Sequence, residues 1–225
     1  MYWIIIGVSM LVSWIVSSTL KRRFAEHSKA PLPLSGRDVA EMMLRENDIN
    51  DVKVISVPGK LTDHYNPENK TVNLSESVYH KRNVAAAAVA AHECGHAIQH
   101  AKAYTWLTMR SKMVPAVSIA SNMMNVIFFM AIFGMFITGN PMLLWIYVAC
   151  FAATTLFSFV TLPVEFDASK RALAWIQNSG IAKSMDQERA KNALHWAAMT
   201  YVVAAIASLA QLLYWLLIVL NNREN

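Results

Sequence analysis

Charged residues are scarce in this chain, and the deficit is uneven. Only 16% of its 225 residues are Asp, Glu, Lys or Arg, whereas a soluble globular domain carries about 25%. Three stretches are almost free of charge: residues 3–20, the 52 residues between Lys112 and Glu165, and residues 192–222. A helix needs about 20 apolar residues to cross the hydrocarbon core of a bilayer. The chain is therefore predicted to be an integral membrane protein, and a purely soluble globule or a disordered chain is excluded.

Cysteine is nearly absent as well, which excludes a small disulfide-stabilised scaffold. Cys94 and Cys150 are the two cysteines of the sequence. We expect both to be free thiols, because one lies in an apolar stretch and the other in a segment assigned below to the reducing cytoplasm. The net charge is +5, and basic residues are common in loops beside membrane spans. This explains the positive charge, so no nucleic-acid partner is expected.

Four transmembrane helices are predicted, and the fold is expected to be mainly α-helical. The long uncharged run is too long for one span and is divided at the turn-forming cluster of residues 138–141. Lys21 and its neighbours follow the first apolar stretch, whereas a secretory signal peptide carries its charge before that stretch. We therefore expect an uncleaved anchor. The predicted spans are 3–20, about 114–137, about 142–163 and about 197–220.

The basic residues predict the orientation of these spans. Of twenty Lys and Arg residues, fourteen lie in 21–112 and five in 165–191, and basic loops stay on the cytoplasmic side. Both polar segments are thus expected in the cytoplasm of a bacterial plasma-membrane protein, with both termini outside. The expected organisation begins with an anchor helix at 1–20 and a cytoplasmic cap at 21–112. A transmembrane helical pair at 113–164 and a cytoplasmic segment at 165–191 follow, and the chain ends with a helix and its tail at 192–225.

The cap is predicted to be a small α+β unit. A helix is expected to begin after the N-cap residue Ser35. Residues 52–57 and 71–74 are predicted to be strands, separated by a connection rich in Pro, Gly and Asn at 58–70. The alanine-rich run from about Asn83 to about Ala101 predicts a further helix.

A zinc-site motif lies inside this alanine-rich helix. His92, Glu93 and His96 form an HExxH sequence, and residues four apart share one helical face, about 6 Å apart along the axis. Two imidazoles can therefore converge on one Zn²⁺. Glu93 can reach the attacking water as general base without binding the metal. The alternative is a pair of surface histidines on a solvated helix.

A catalytic zinc needs a third protein ligand. His100 lies eight residues beyond His92, about 12 Å along the helix axis, which is too far unless the helix breaks. Glu165 is the better candidate, since it directly follows the third predicted span and is expected to begin a helix after Pro163. Asp167 is its main rival. One zinc ion per chain is expected.

The chain resembles the YugP-like family of bacterial membrane zinc metallopeptidases over essentially its whole length. The resemblance rests on AAHECGHAIQH, on the four-span layout and on PVEFDAS after the third span. More distantly, the chain is similar to HtpX-type and CAAX-prenyl-type membrane proteases. The resemblance implies a zincin-like cap with His92, His96 and Glu165 as zinc ligands and Glu93 as the base.

One position departs from the wider pattern. The more distant proteases carry Glu-x-x-x-Asp, and Ser169 occupies the Asp position here. That Asp orients a zinc-bound histidine, so Ser169 would do this more weakly, or Asp167 would take over.

The sequence favours a zinc-dependent endopeptidase that acts on membrane proteins or juxtamembrane peptides. The alternative is a non-catalytic zinc-binding scaffold or regulator, and a transporter is disfavoured because the spans contain almost no ionisable residues. Substrate peptides are expected to add to a sheet edge within 61–74. His64 or Tyr65 there is a candidate oxyanion donor, although a solvated loop is favoured. His195 is expected to be an interfacial histidine.

Overall fold

The computed structural model describes residues 2–138 and 142–221, and the side chains of Asn125 and residues 131–138 lie outside that description. The predicted turn at 138–141 thus falls mostly outside the described residues. Within them the chain forms seven helices and three strands. In chain order these are α1 (Tyr2–His27), α2 (Gly36–Glu46), β1 (Lys53–Val57), β2 (His64–Asn66), β3 (Thr71–Ser75), α3 (Glu76–Tyr79), α4 (Val84–Ala101), α5 (Thr105–Thr138), α6 (Met142–Asn178) and α7 (Ser184–Asn221).

Three of the long helices, α1, α6 and α7, are long and apolar enough to cross a membrane. They contain three of the four predicted spans, and the protein is a mainly helical membrane protein. Helix α5 contains the remaining predicted span, at 114–137. Because part of its side chains is outside the described residues, a fourth span stays a prediction.

Helix α6 differs from the expectation at its centre. Glu165 was expected to begin a new helix after Pro163, but α6 continues unbroken through the proline to Asn178, so that expectation was wrong. A proline inside a helix removes one backbone hydrogen bond and crowds the preceding turn. The residues that follow offset this cost by packing, since Val164, Ala168 and Ala172 are completely buried.

A small three-stranded sheet has the order β1-β3-β2, with β3 in the centre. Strand β1 pairs with β3 in parallel and β2 pairs with β3 in antiparallel orientation. Strands β1 and β3 match the predicted strands. Strand β2 was missed, because its three residues lie in the turn-rich connection 58–70. It is an edge strand within 61–74, where a sheet edge was expected.

The chain divides into two compact units. One comprises Met1–Trp14, Met109–Leu162 and Tyr201–Asn225, and the other comprises Ile15–Thr108 and Pro163–Thr200. Aromatic side chains, including Tyr147 and Trp215, form a buried cluster in the first unit.

Helix α4 is the centre of the second unit. Almost all of its residues are buried, and its many alanines let the neighbouring elements approach its backbone closely. Its N-terminus is capped by the Asn83 side chain, which accepts a hydrogen bond from the backbone N–H of Ala86. Helix α2 packs against α4 and begins with a capping box formed by Ser35 and Asp38, which confirms the predicted N-cap.

Candidate metal centre

The two histidines of the HExxH sequence lie on one face of α4. Their ring centroids are 4.8 Å apart and the rings are nearly perpendicular. His96 is buried and His92 is half-buried. The continuous helix confirms that residues four apart face the same way, as the spacing predicts.

Glu165 of α6 meets both histidines. Its Oε2 lies 3.3 Å from Nε2 of His92 and 3.7 Å from Nε2 of His96. Ligand atoms on a tetrahedral zinc with bonds of about 2.0–2.2 Å stand about 3.3–3.6 Å apart. All three ligand atoms lie within 4.8 Å of one another. Two imidazole nitrogens and one carboxylate are the donors of many catalytic zinc sites, so the residues present fit a zinc ion.

A glycine sets the distance between the two helices. A Cβ on Gly95 would lie 2.6 Å from the carbonyl oxygen of Ala168 and 3.0 Å from its Cα, closer than a side-chain carbon can approach. The backbones of α4 and α6 can therefore touch here because position 95 has no side chain. This contact is one turn from His92 on α4 and one turn from Glu165 on α6, and it brings the carboxylate to the imidazoles.

His92 is oriented by the hydroxyl of Ser169. The Oγ of Ser169 lies 3.1 Å from Nδ1 of His92. If Nδ1 carries the proton and donates to this oxygen, Nε2 keeps its lone pair towards the centre of the site. The residue that replaces the expected Asp therefore contacts the predicted histidine.

His96 is oriented by Gln99, which the sequence did not single out. The Gln99 amide nitrogen donates to the carbonyl oxygen of Val164 and to the Asp167 carboxylate, both at 2.8 Å. Both of these partners can only accept hydrogen bonds, so the amide nitrogen must face them. The amide oxygen therefore faces His96, 3.0 Å from its Nδ1. A carbonyl oxygen cannot donate, so Nδ1 must carry the proton and Nε2 is left as a metal-binding lone pair.

Asp167 supports this arrangement and is not part of the group of possible ligands. Its carboxylate accepts from the Arg171 guanidinium at 2.6 Å as well as from Gln99. Arg171 in turn lies over the ring of Tyr104. Asp167 thus acts on the site through Gln99. In the sequence, the supporting role of Asp167 is indicated by its i, i+4 spacing to Arg171. Gln99 could have been found from its place one turn after His96.

The charges of the site shift two pKa values. Burial lowers the pKa of His96, but the carboxylates of Glu165 and Glu93 outweigh burial and raise it above its ordinary value. Glu165 lies beyond the predicted span at 142–163. Burial raises the pKa of Glu165, but its close interactions with the rings of His92 and His96 hold this pKa well below its usual range. Glu165 is therefore an anion at neutral pH, as a zinc ligand must be.

Glu93 and Cys94 follow His92 along α4, within the motif. Glu93 is buried, one residue beyond His92. The thiol of Cys94 points to the backbone carbonyl of Ala40, 3.6 Å away, and burial raises its pKa well above the ordinary value. Cys94 and Cys150 are both free thiols, as expected.

The other histidines considered above lie outside the group. His100 is exposed, and its Nδ1 is hydrogen-bonded to the Tyr65 hydroxyl at 2.8 Å. His64 is exposed on the edge strand β2, and His195 is exposed on α7. Among the described residues, a possible metal-binding group of three is formed by His92, His96 and Glu165. Their role as ligands stays a prediction.

Comparison with known proteins gives the family. A family model described as "Putative neutral zinc metallopeptidase" matches residues 2–220. The chain is 39% identical over 228 residues to a Bacillus subtilis (strain 168) protein described as "Putative membrane protease YugP", and the match covers 100% of this chain and 99% of that protein. No solved structure matches the chain significantly. The chain therefore belongs to the family of neutral zinc metallopeptidases that this model describes.

Proposed function

We propose that the protein is a zinc-dependent endopeptidase that hydrolyses peptide bonds of membrane proteins or juxtamembrane segments. The observation that carries the proposal is the convergence of His92, His96 and Glu165 beside a buried Glu93. A structural zinc site uses four protein ligands, whereas a catalytic one keeps an open position. Three candidate ligands and an adjacent carboxylate match the catalytic arrangement.

Each residue of the site has a separate role in the proposed reaction. His92, His96 and Glu165 would hold one zinc ion, which supplies Lewis-acid activation of a water molecule and of the scissile carbonyl. Glu93 acts as general base: its carboxylate takes a proton from the attacking water and passes it to the nitrogen of the leaving amine. Gln99 keeps the His96 imidazole in the tautomer with a free Nε2. The Ser169 hydroxyl can accept from Nδ1 of His92, which leaves Nε2 of His92 free in the same way. The Glu93 carboxylate is kept from the metal by its position one residue off the histidine face.

The proposed location is the cytoplasmic face of a bacterial plasma membrane. Nineteen of the twenty Lys and Arg residues lie in the two segments 21–112 and 165–191, which supports a cytoplasmic position for both. Single cysteines at Asn66, Ser179 and Asn140 in a Cys150→Ser background test this topology with a membrane-impermeant thiol reagent on intact cells. Position 140 should react, and labelling at position 66 would place the site on the outer face.

Replacement of Glu93 tests the catalytic role. Glu93→Gln keeps the size of the side chain and removes the base, so zinc content should remain near wild type while hydrolysis falls by at least about 100-fold. Glu76→Gln, an exposed carboxylate on α3, is the matched control and should keep both. Loss of zinc in Glu93→Gln would make Glu93 a ligand. Full hydrolysis in it would show that Glu93 is not the base and leave the proposed peptidase without its assigned general base.

The third ligand is tested by a set of three variants. Glu165→Gln, Asp167→Asn and His100→Ala are dialysed against a weak chelator and assayed for zinc by atomic absorption. We expect Glu165→Gln to lose its metal and His100→Ala to keep it, because His100 lies outside the site. Asp167→Asn should weaken binding without abolishing it. Retention of zinc in Glu165→Gln with loss in His100→Ala would overturn the ligand assignment.

A further inference from the structure

A groove lies between α6 and α7 within the second compact unit. Its volume is about 430 Å³, inside the range of about 300–1,000 Å³ typical of ligand pockets. The α6 residues that line it recur at helical spacing, and so do those of α7. They are Phe166, Ser169, Lys170, Leu173, Ala174 and Gln177 on α6, and Lys191, Leu194, His195 and Ala198 on α7.

Ser169 connects the groove to the candidate metal centre. Ser169 lines the groove and also contacts His92 through its hydroxyl. Phe166 follows the candidate ligand Glu165 in sequence and is exposed towards the groove. A chain segment that lies in the groove would therefore lie on the Ser169 side of His92, next in sequence along α6 to the candidate ligand Glu165.

The lining combines an apolar floor with a basic rim. Phe166, Leu173 and Leu194 are the large apolar side chains of the lining. Lys170 and Lys191 supply two positive charges, and no described residue that lines the groove is acidic. Lys191 also pairs with Glu188 at 3.8 Å, but both side chains are largely exposed, so this pair competes weakly with a ligand.

We propose that this groove binds the substrate peptide next to the scissile bond, with an apolar side chain on its floor and an acidic side chain at Lys170 and Lys191. The inference rests on the proposed function and adds its substrate class: peptide segments in which an acidic residue neighbours an apolar one. Charge on the rim steers and selects such segments, and the floor supplies the buried area.

Three quenched peptides test the selection. They share one scaffold with a central Leu that is flanked on both sides by Glu, by Gln or by Lys. Cleavage is measured with the zinc-loaded full-length protein in detergent micelles, and binding of labelled peptides is measured by fluorescence anisotropy with Glu93→Gln. Two exposed charge pairs should favour the Glu peptide over the Gln peptide by about 3–10-fold in both assays, less at high salt.

Variants of the rim and the floor locate the effect. Lys170→Glu with Lys191→Glu should reverse the order of the peptides, with zinc content unchanged. Lys183→Glu is the matched control, because Lys183 is exposed outside the groove, and it should keep the wild-type order. Ala174→Trp should fill the groove and weaken binding of all three peptides. If the double variant does not fold, Lys170→Gln and Lys191→Gln should each lower the preference about 2–3-fold.

The outcomes separate the two proposals. Glu93-dependent cleavage of all three peptides at equal rates would overturn the groove and leave the peptidase intact. The groove proposal would also be overturned if the variant with both Lys170→Glu and Lys191→Glu kept the wild-type order of the three peptides. If no peptide binds to Glu93→Gln and none is cleaved by the wild type, the proposed function fails and this inference with it.

Discussion

The two histidines of the motif are held by different chemistry, although they lie on one helix and face one carboxylate. His92 contacts a single hydroxyl, that of Ser169. His96 contacts an amide that is itself fixed by Val164 and Asp167. A hydroxyl rotates and can donate or accept, whereas the Gln99 amide has one possible orientation. The His96 side of the site is therefore more rigidly organised than the His92 side.

The largest effect is expected from Gly95→Ala, which disturbs both sides together. A methyl group here would overlap Ala168 and force α6 away from α4, so Glu165 would leave both histidines. Zinc affinity should fall by more than about 100-fold, at a cost in stability of about 1–3 kcal/mol. Competition with a chromophoric chelator measures the first and thermal unfolding the second. Gly7→Ala, which meets nothing within 4 Å, is the control. Unchanged zinc affinity would show that the helix contact does not set the site.

The second largest effect on zinc affinity is expected from Gln99→Leu, which tests the His96 side of the site. The variant removes the acceptor for His96 and leaves Asp167 with one partner fewer, and loss of such support costs about 10–100-fold in metal affinity. Gln177→Leu, an exposed residue of the same type on α6, should bind zinc as the wild type does. An affinity within twofold of wild type for Gln99→Leu would remove the distinction between the two sides.

Acidification should release zinc by protonation of His96. Burial lowers the pKa of His96, but Glu165 and Glu93 outweigh it and raise the pKa above 6.5, so a proton competes with zinc at His96 already above that pH. Below the pKa, apparent affinity should fall about tenfold per pH unit for each competing proton. Zinc titrations between pH 5.5 and 8.5 measure the slope. A flat profile down to pH 6 would contradict the raised pKa.

The smallest effect is expected from Ser169. Ser169→Ala removes one hydroxyl and should lower zinc affinity less than about tenfold, at the low end of the effect of such residues. Ser169→Asp should raise it, because a carboxylate is the stronger acceptor for His92. The same chelator competition measures both variants. A loss for Ser169→Ala larger than that for Gln99→Leu would reverse the comparison.

Much of the site was accessible from sequence because its residues carry strong local signals. The HExxH spacing and the alanine-rich run predicted α4 and the direction of its histidines. The sequence favoured Glu165 over Asp167 from its place directly after the third span, but it could not show which face of α6 meets α4. The contact of Gly95 with Ala168 decides this, and such a contact between distant segments leaves no periodic trace in the sequence.

The missed features share a physical cause. Gln99 was overlooked because its partners on α6 lie 65 and 68 residues away. Strand β2 has three residues, too few to show an alternating pattern. The unbroken course of α6 through Pro163 depends on the burial of the following turn, which overrides the local preference of proline. Each case was decided by tertiary packing.

The turn of α4 from His92 to His96 also bears on how the motif can be varied or transplanted. Its two nominally free positions face different neighbours: Cys94 points to α2, and Gly95 touches α6. Each of these positions is therefore under a steric constraint of its own. A designer who grafts only the two histidines and Glu93 onto another helix would transfer the chemistry without the spacing that supplies its third ligand.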